Sequence, residues 1–309
     1  MWLSIFCKCG VPLFYGIYGA LMYGSNKRLT AGYIAKKVLR ILIILIVMSW
    51  IYLCVNTNRC FIPLNEFFTT IYSKSAMYHL WYLYSYIALL ITAPILKSFA
   101  QNMSDRCFRY LILLEIFFKG IIPTFELFAF EGKVSLVSHA VPTWITADAF
   151  LFSLIGYYLH DRVSCSSITK RQISAMWMIN ILTIALACFL TYKKSILTGI
   201  LDESHSQGYF GSFVIINMIT VFLTVKNMFE GIHIGEVREK IILSAGSCCF
   251  GVYLFHPLIR KSKIKAFIVL NVGRFSPFIA IIIYCLASFL TCWLITWILK
   301  RIPGMRRFL

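Results

Sequence analysis

Long apolar segments recur along the whole chain of 309 residues. A run of about 20 apolar residues crosses the roughly 30 Å hydrocarbon core of a bilayer as a helix, because a helix rises about 1.5 Å per residue. Hydrophobic residues make up 60% of the chain and charged residues only 14%, and the mean hydropathy is +0.78. This pattern excludes an ordinary soluble domain and predicts an all-α, polytopic integral membrane helical bundle.

The hydropathy pattern predicts about nine transmembrane helices joined by short polar loops. No soluble domain, low-complexity linker or internal repeat interrupts this pattern, so a single membrane-embedded domain over residues 1–309 is predicted. The first segment lacks the short apolar core and small-residue cleavage site of a signal peptide. The predicted spans are 5–24, 38–56, 79–99, 107–129, 143–160, 173–192, 209–226, 241–259 and 276–299.

Lysine and arginine are unevenly divided between alternate loops. One side of the predicted bundle carries 18 of them and the other carries 11, of which five lie in the basic segment 260–274. Cytoplasmic loops carry the excess, so we expect a cytoplasmic C-terminus and an external N-terminus, with segment 260–274 contradicting the rule. The net charge of +18 then reflects orientation and attraction to anionic membrane lipid, and no nucleic-acid partner is expected.

The eleven cysteines do not form a metal-binding pattern. Most lie in or beside predicted spans, where cysteine behaves as a small apolar residue. Cys7 and Cys9 are separated by a single residue, which is not the spacing of a zinc-ligand turn, and no histidine pair accompanies them. No metal cofactor is therefore expected.

Polar residues inside the predicted spans are more informative, because a charge in lipid is costly unless it is paired or faces water. Glu115, Lys119 and Glu126 recur at helical spacing on one face of the fourth span. Asp148 lies in the outer half of the fifth span. Two interpretations stay open: interhelical ion pairs that fix packing, or a polar cavity lined by these groups.

Two histidines are predicted to lie at the same membrane level. His79 opens the segment HLWYLYSY at the outer end of the third span, and Trp81 and Tyr82 follow it. His256 ends the segment FGVYLFHP, also near the outer surface, and Pro257 is expected to end or kink that helix. Each histidine alone is typical of an interfacial anchor or a packing residue, whereas the pair with its aromatic neighbours favours a binding site.

Five segments in order along the chain resemble the membrane-bound acyltransferase 3 family, and within it the enterobacterial common antigen O-acetyltransferase type. The histidine-leucine-tryptophan segment and the Phe-Gly-x-Tyr-Leu-x-His-Pro segment together are the more specific part of this resemblance. The matching segments are VPLFYGIYGALMYG at 11–24, KKVLRIL at 36–42, HLWYLYSYIALLITAPILKSF at 79–99, SAGSCCFGVYLFHPLI at 244–259 and KRIPGMRRFL at 300–309.

The resemblance implies an enzyme of the bacterial inner membrane that uses acyl-CoA as its co-substrate. Such an enzyme passes an acyl group, usually acetyl, from the cytoplasmic side to a hydroxyl of an envelope polysaccharide or lipid-linked sugar. The acceptor-site candidates are then His79, Trp81, Tyr82 and His256.

The resemblance also places the donor at the cytoplasmic end of the second span. The cations Lys36, Lys37 and Arg40 suit the phosphates of coenzyme A, although the family often has arginine at the position of Lys37. The alternative is a plain positive-inside anchor.

The resemblance implies one helix more than the nine predicted here. Family members usually have ten spans, and the first carries a basic residue and a histidine that serves as catalytic base. This sequence begins at the run-up to the second span, so we expect that helix to be missing, and the catalytic residue is unassigned.

Three explanations stay open for the missing helix: a late start codon, a truncated non-catalytic relative, or a partner chain that supplies it. The rival function is a transporter or flippase for a lipid-linked sugar that uses the intramembrane polar residues as a path.

Overall fold

The computed structural model describes residues 1–131, 148–164, 166, 168–201, 211, 213–232, 235–260 and 263–308. Within these ranges all regular secondary structure is helical, as predicted. The first helices are α1 (Trp2–Cys7), α2 (Gly10–Tyr23), α3 (Ala31–Thr57), α4 (Leu64–Ser73), α5 (Trp81–Asn102), α6 (Asp105–Glu115) and α7 (Ile122–Phe130). The later helices are α8 (Asp148–Tyr157), α9 (Lys170–Thr198), α10 (Val214–Phe229), α11 (Glu236–Arg260), α12 (Lys263–Asn271) and α13 (Pro277–Leu299).

Six stretches of the described chain are long and apolar enough to cross a membrane. They comprise the segment Trp2–Tyr23, which contains α1 and α2, and the helices α3, α5, α9, α11 and α13. The chain is therefore an integral membrane protein with several spans, as the composition predicts. The six correspond to six of the nine predicted spans.

The other three predicted spans take different forms. The span predicted at 209–226 includes part of the 16-residue helix α10. The span at 107–129 contains a π-helical turn, Ile116–Ile121, between α6 and α7. The span at 143–160 begins outside the described residues and ends in a second π-helical turn, Tyr158–Arg162. The total of nine stays a prediction.

Helix boundaries follow from side chains that satisfy the first backbone N–H groups. At the start of α9 the Thr169 hydroxyl accepts from the Gln172 backbone N–H at 3.3 Å, and the Gln172 side chain accepts from the Thr169 N–H at 2.8 Å. Ser276 accepts in the same way from the Ile279 N–H at the start of α13, at 3.3 Å. These caps fix where two of the membrane helices begin.

The chain forms two compact units, Met1–Ile34 with Ala88–Ile232, and Ala35–Ile87 with His233–Leu309. In the first unit α2 packs on α8 through glycine. A Cβ atom at Gly156 would overlap the backbone of Gly16, and one at Gly19 would overlap the Ser153 carbonyl. The two backbones therefore touch, as small residues allow in membrane helices. The Tyr23 and Ser153 hydroxyls hydrogen-bond beside this crossing at 3.0 Å.

Buried amides join further elements of the first unit. The Asn180 amide in α9 donates to the Asn217 side-chain oxygen in α10 at 3.3 Å. Asn217 in turn donates to the Phe6 carbonyl of α1 at 2.7 Å. Such bonds are favoured inside a membrane because few other partners are within reach there.

In the second unit α11 packs on α13, with Gly251 against the Thr296 side chain. The other faces of α13 expose large apolar residues, among them Phe278, Leu286 and Leu290. An exposed apolar surface on so hydrophobic a helix is stable in lipid and unfavourable in water. The exposed face is therefore the lipid-facing one.

Three features of the second unit differ from the sequence predictions. Helix α11 continues through Pro257 to Arg260, so that proline does not end the helix, and the alternative of a kink stays a prediction. Part of the basic segment 260–274 forms α12. Helix α4 is short and amphipathic, exposes Phe68 and Tyr72, and was not predicted because ten residues are too few for a span.

Candidate functional site

The imidazole of His79 lies in an aromatic cage in the second unit. Its side chain is 94% buried, since the relative exposure is 6%. The ring centroids of the four neighbours lie 5.1 to 5.6 Å from that of His79, and all four meet it edge to face. These neighbours are Tyr52, Tyr78, Tyr253 and His256. The structure therefore brings together the two histidines that the sequence placed at one membrane level.

Pro257 explains the orientation of His256. A proline inside a helix has no N–H, so the carbonyl four residues earlier loses its helical partner. That carbonyl belongs to Tyr253, and it accepts a hydrogen bond from Nδ1 of His256 at 2.9 Å. A carbonyl only accepts, so Nδ1 carries a proton. In the neutral ring Nε2 then has the lone pair and can accept a hydrogen bond from a hydroxyl.

Two tyrosines tie the cage together through the backbone. The Tyr253 hydroxyl donates to the His79 carbonyl at 2.6 Å, and the Tyr52 hydroxyl donates to the Leu254 carbonyl at 2.6 Å. The Leu254 carbonyl also lies near the His79 ring but does not reach hydrogen-bond geometry. Among the described residues neither His79 ring nitrogen has a hydrogen-bond partner.

Burial sets the charge of His79, which precedes the span that begins at Trp81. Removal from water, and then the neighbouring His256, lowers the pKa of His79 from 6.5 to about 3. The His79 imidazole is therefore neutral at physiological pH. A neutral ring can both donate and accept a hydrogen bond.

The other two acceptor-site candidates lie beside this cage. The Tyr82 ring is 5.6 Å from the Tyr253 ring and stacks on Tyr86 at 6.1 Å. Trp81 contacts Tyr82 at 6.3 Å, and both side chains are half-buried. All four candidates are thus connected through aromatic contacts within the second unit.

Sequence reasoning missed the tyrosines that surround His79. Tyr253 had a recognisable signal, since it is three residues before His256 and therefore on the same face of the helix. Tyr78 is the neighbour of His79 in the chain. Tyr52 had no such signal, because it lies inside a long apolar run of α3.

The intramembrane polar residues lie in the first unit, around the π-helical turn Ile116–Ile121. Nζ of Lys119, in that turn, is 3.4 Å from Oδ1 of Asp148 at the start of α8. Glu115 and Glu126 are buried on either side of the turn. The π turn interrupts the α-helical repeat on which the single-face prediction rests. Lys119 and Asp148 join two helices, which favours a packing role.

The predicted donor-site cations lie on the second turn and start of the third turn of α3. Lys36 and Arg40 are four residues apart and exposed, and Lys37 is half-buried. Residues at this spacing share a helix face, so the two exposed cations project from one surface. No cluster of three or more potential metal-ligating side chains occurs in the described part of the chain.

A protein-family model described as an acyltransferase domain matches residues 1–297. The chain belongs to the acyltransferase 3 family. The match includes the cage residues, the donor-site cations and the intramembrane ion pair, and it confirms the family resemblance of the chain. Four of the five segments lie inside the matched residues, and the segment at 300–309 lies beyond them. Membership of the acyltransferase 3 family indicates acyltransferase activity. No curated protein and no solved structure gives a significant match to the chain.

Proposed function

We propose that this acyltransferase 3 protein is a membrane-bound O-acyltransferase of cell-envelope sugars. It transfers an acyl group, most simply acetyl, from cytoplasmic acyl-CoA to a hydroxyl of an envelope polysaccharide or lipid-linked sugar. Its location is the bacterial inner membrane, with a cytoplasmic C-terminus. The observation that carries this proposal is the His79–His256 cage, in which Pro257 and Tyr253 orient the His256 ring.

The chemistry of the cage suits a sugar acceptor. Aromatic rings offer apolar faces to the C–H groups of a sugar, and Trp81 and Tyr82 supply such rings next to the cage. Nε2 of His256 accepts a hydrogen bond from a sugar hydroxyl and holds it in place. The roles proposed for His256, Trp81 and Tyr82 are therefore to bind and orient the acceptor.

The reaction itself exchanges one acyl bond for another. The acceptor oxygen attacks the thioester carbonyl, an O–acyl bond forms and the C–S bond breaks. The hydroxyl proton passes to a base and then to the departing thiolate, which gives free coenzyme A. We assign no residue as that base.

We further propose that the coenzyme A phosphates bind at the start of α3. Arg40 offers a planar fork that binds two phosphate oxygens at once, and Lys36 and Lys37 add charge beside it. The exposure of Lys36 and Arg40 on one helix face supports this assignment.

Labelled acetyl-CoA tests the proposal in native membranes. Vesicles from cells that carry the gene should transfer label to an envelope glycan, and vesicles from a deletion strain should not. The variant Arg40→Gln should raise the KM for acetyl-CoA, while Arg238→Gln, an exposed arginine at the start of α11, should not. Absence of both transfer and coenzyme A binding in a folded preparation would overturn the proposal.

A further inference from the structure

A positively charged cleft lies in the first unit, between the loop that follows α2 and the C-terminal part of α5. Its volume is about 530 Å³. One wall is the loop of residues 25–29 between α2 and α3, and the other is the last two turns of α5. The charged residues of its lining are Lys27, Arg28 and Lys97, and no described residue of the lining is a carboxylate.

The loop is held in place by α5. Nζ of Lys97 donates to the Ser25 carbonyl and, at 2.9 Å, to the Lys27 carbonyl. Gln101 donates to the Tyr23 carbonyl at 3.0 Å. These bonds engage backbone oxygens that would otherwise repel an anion, while the side chains of Lys27 and Arg28 stay exposed. The cleft is therefore arranged to receive negative charge.

An apolar groove continues from the cleft along α5. It has a volume of about 690 Å³ and shares Pro94, Ser98 and Asn102 with the cleft. The apolar part of its lining includes Ile95, which is 72% exposed, and Phe99, which is 55% exposed. Helix α5 is one of the long apolar stretches, so this groove runs along a membrane span.

The two cavities together match a molecule with an anionic head and an apolar chain. We propose that they form a binding site for one anionic phospholipid. The headgroup phosphate binds Lys27 and Arg28 beside Lys97, and an acyl chain lies along Ile95 and Phe99. Soluble phosphate esters share the head chemistry, but the groove on the exposed face of a span favours a lipid. This inference does not rest on the proposed acyl transfer.

Native mass spectrometry of the purified full chain tests the lipid site. The protein is mixed with equal amounts of phosphatidylglycerol and phosphatidylcholine of the same chain length, and the lipids that stay bound are counted. We expect the wild-type protein to retain phosphatidylglycerol preferentially. The double variant Lys27→Gln/Arg28→Gln should lose that preference by about tenfold or more, because both charges near the phosphate are removed.

The matched control is Lys170→Gln/Arg171→Gln, an adjacent and exposed lysine-arginine pair at the start of α9. It removes the same charge from the same predicted side of the membrane, so it should keep the preference. Equal loss in both double variants, or no loss in the first, would overturn the proposal.

Two further arms separate a lipid from a soluble phosphate ester. Coenzyme A or inorganic phosphate should leave the bound phosphatidylglycerol in place, and dihexanoyl phosphatidylglycerol should bind more weakly than the long-chain lipid. Displacement by coenzyme A, or equal binding of both chain lengths, would overturn the lipid assignment. Acetyl transfer measured on the same variants reports separately on the proposed function.

Discussion

Pro257 determines the orientation of the His256 ring in the candidate site. It removes one backbone N–H, and the carbonyl that is freed holds the neighbouring imidazole. A histidine before a proline is usually interpreted as the end of a helix, yet α11 continues for three residues beyond this one. The His-Pro pair therefore fixes the tautomer and direction of His256 while the helix stays intact.

Restoring the missing N–H should release His256. In Pro257→Ala the new N–H competes for the Tyr253 carbonyl, so His256 loses its fixed orientation. We expect kcat/KM for the sugar acceptor to fall about ten- to a hundredfold, the scale on which misorientation of a contacting group acts. The KM for acyl-CoA should not rise. The unfolding temperature should not fall, because the helix gains a hydrogen bond. Steady-state kinetics with each substrate varied in turn measures this.

Pro277→Ala is the matched control, since Pro277 is at the first position of α13 and frees no carbonyl inside the helix. Its acceptor kinetics should equal those of the wild-type protein. A normal acceptor kcat/KM in Pro257→Ala would show that the orientation of His256 does not matter for acceptor binding.

The Lys119–Asp148 pair gives a second test at the scale of single residues. Both side chains are largely buried, at 22% and 13% exposure, so removal of one charge leaves the other without its partner. We expect Lys119→Met to lower the free energy of unfolding by about 3 kcal/mol. Lys119→Met/Asp148→Asn should be less destabilised, because neither charge remains. Thermal and denaturant unfolding of the detergent-solubilised protein gives these values.

Lys240→Met is the control, because Lys240 pairs with Glu236 at the exposed start of α11. Exposed pairs of this kind contribute less than about 1 kcal/mol. If Lys119→Met folds with unchanged stability but abolishes sugar movement in vesicles without acyl-CoA, the packing role is wrong and the transporter alternative gains.

At the scale of elements, the crossing of α2 and α8 depends on Gly16, Gly19 and Gly156. Glycine lets two helices approach until their backbones touch, and van der Waals contact and Cα–H···O contacts then stabilise the pair. The Tyr23–Ser153 hydrogen bond adds a polar contact at the same place. A side chain at the crossing has no space to occupy.

Gly156→Leu should therefore separate α2 from α8. Overpacking a core costs about 1–3 kcal/mol, and overlap with a backbone is harder to relieve than overlap with a flexible side chain. We expect a loss of at least about 2 kcal/mol, measured as the yield and unfolding temperature of the solubilised protein. Gly246→Leu in α11 is the control, because a Cβ there meets nothing within 4 Å. Equal stability of the two variants would contradict the crossing.

The sequence predicted some elements well and others not at all. The long helices α3, α5, α9, α11 and α13 follow directly from length and hydropathy, which are local properties. Helix α4 is too short for that signal, and the π-helical turn Ile116–Ile121 changes the winding without changing the composition. Neither feature changes the long apolar runs from which the spans were predicted, so hydropathy does not reveal them.

The candidate site, too, was predicted only in part. The shared membrane level of His79 and His256 followed from counting spans, because alternate spans run in opposite directions. The tyrosine cage and the Pro257–Tyr253–His256 hydrogen bond depend on which helices pack together. The sequence alone does not reveal which helices pack together.

At the scale of the whole molecule, the orientation in the membrane remains a prediction from charge. It places Cys60 outside and Cys107 at the cytoplasmic end of the fourth predicted span, and both are exposed free cysteines in the structure. We consider single-cysteine variants that keep only Cys60 or only Cys107. A membrane-impermeant maleimide should label Cys60 in right-side-out vesicles. Cys107 should react only after permeabilisation. The reverse labelling pattern would contradict this orientation. The proposed acceptor site would then face the cytoplasm, and the proposed acyl-CoA site would face the outside.

Backbone contact between α2 and α8 limits which motions the first unit can undergo. A Cβ atom at Gly19 or Gly156 would overlap the facing backbone, so the two helices fit this closely only in a register that places glycine at the crossing. Shear between them, a common mode of conformational change, would lose this close fit. The first unit also contains two π-helical turns, Ile116–Ile121 and Tyr158–Arg162, and turns of this kind are frequent at functional sites.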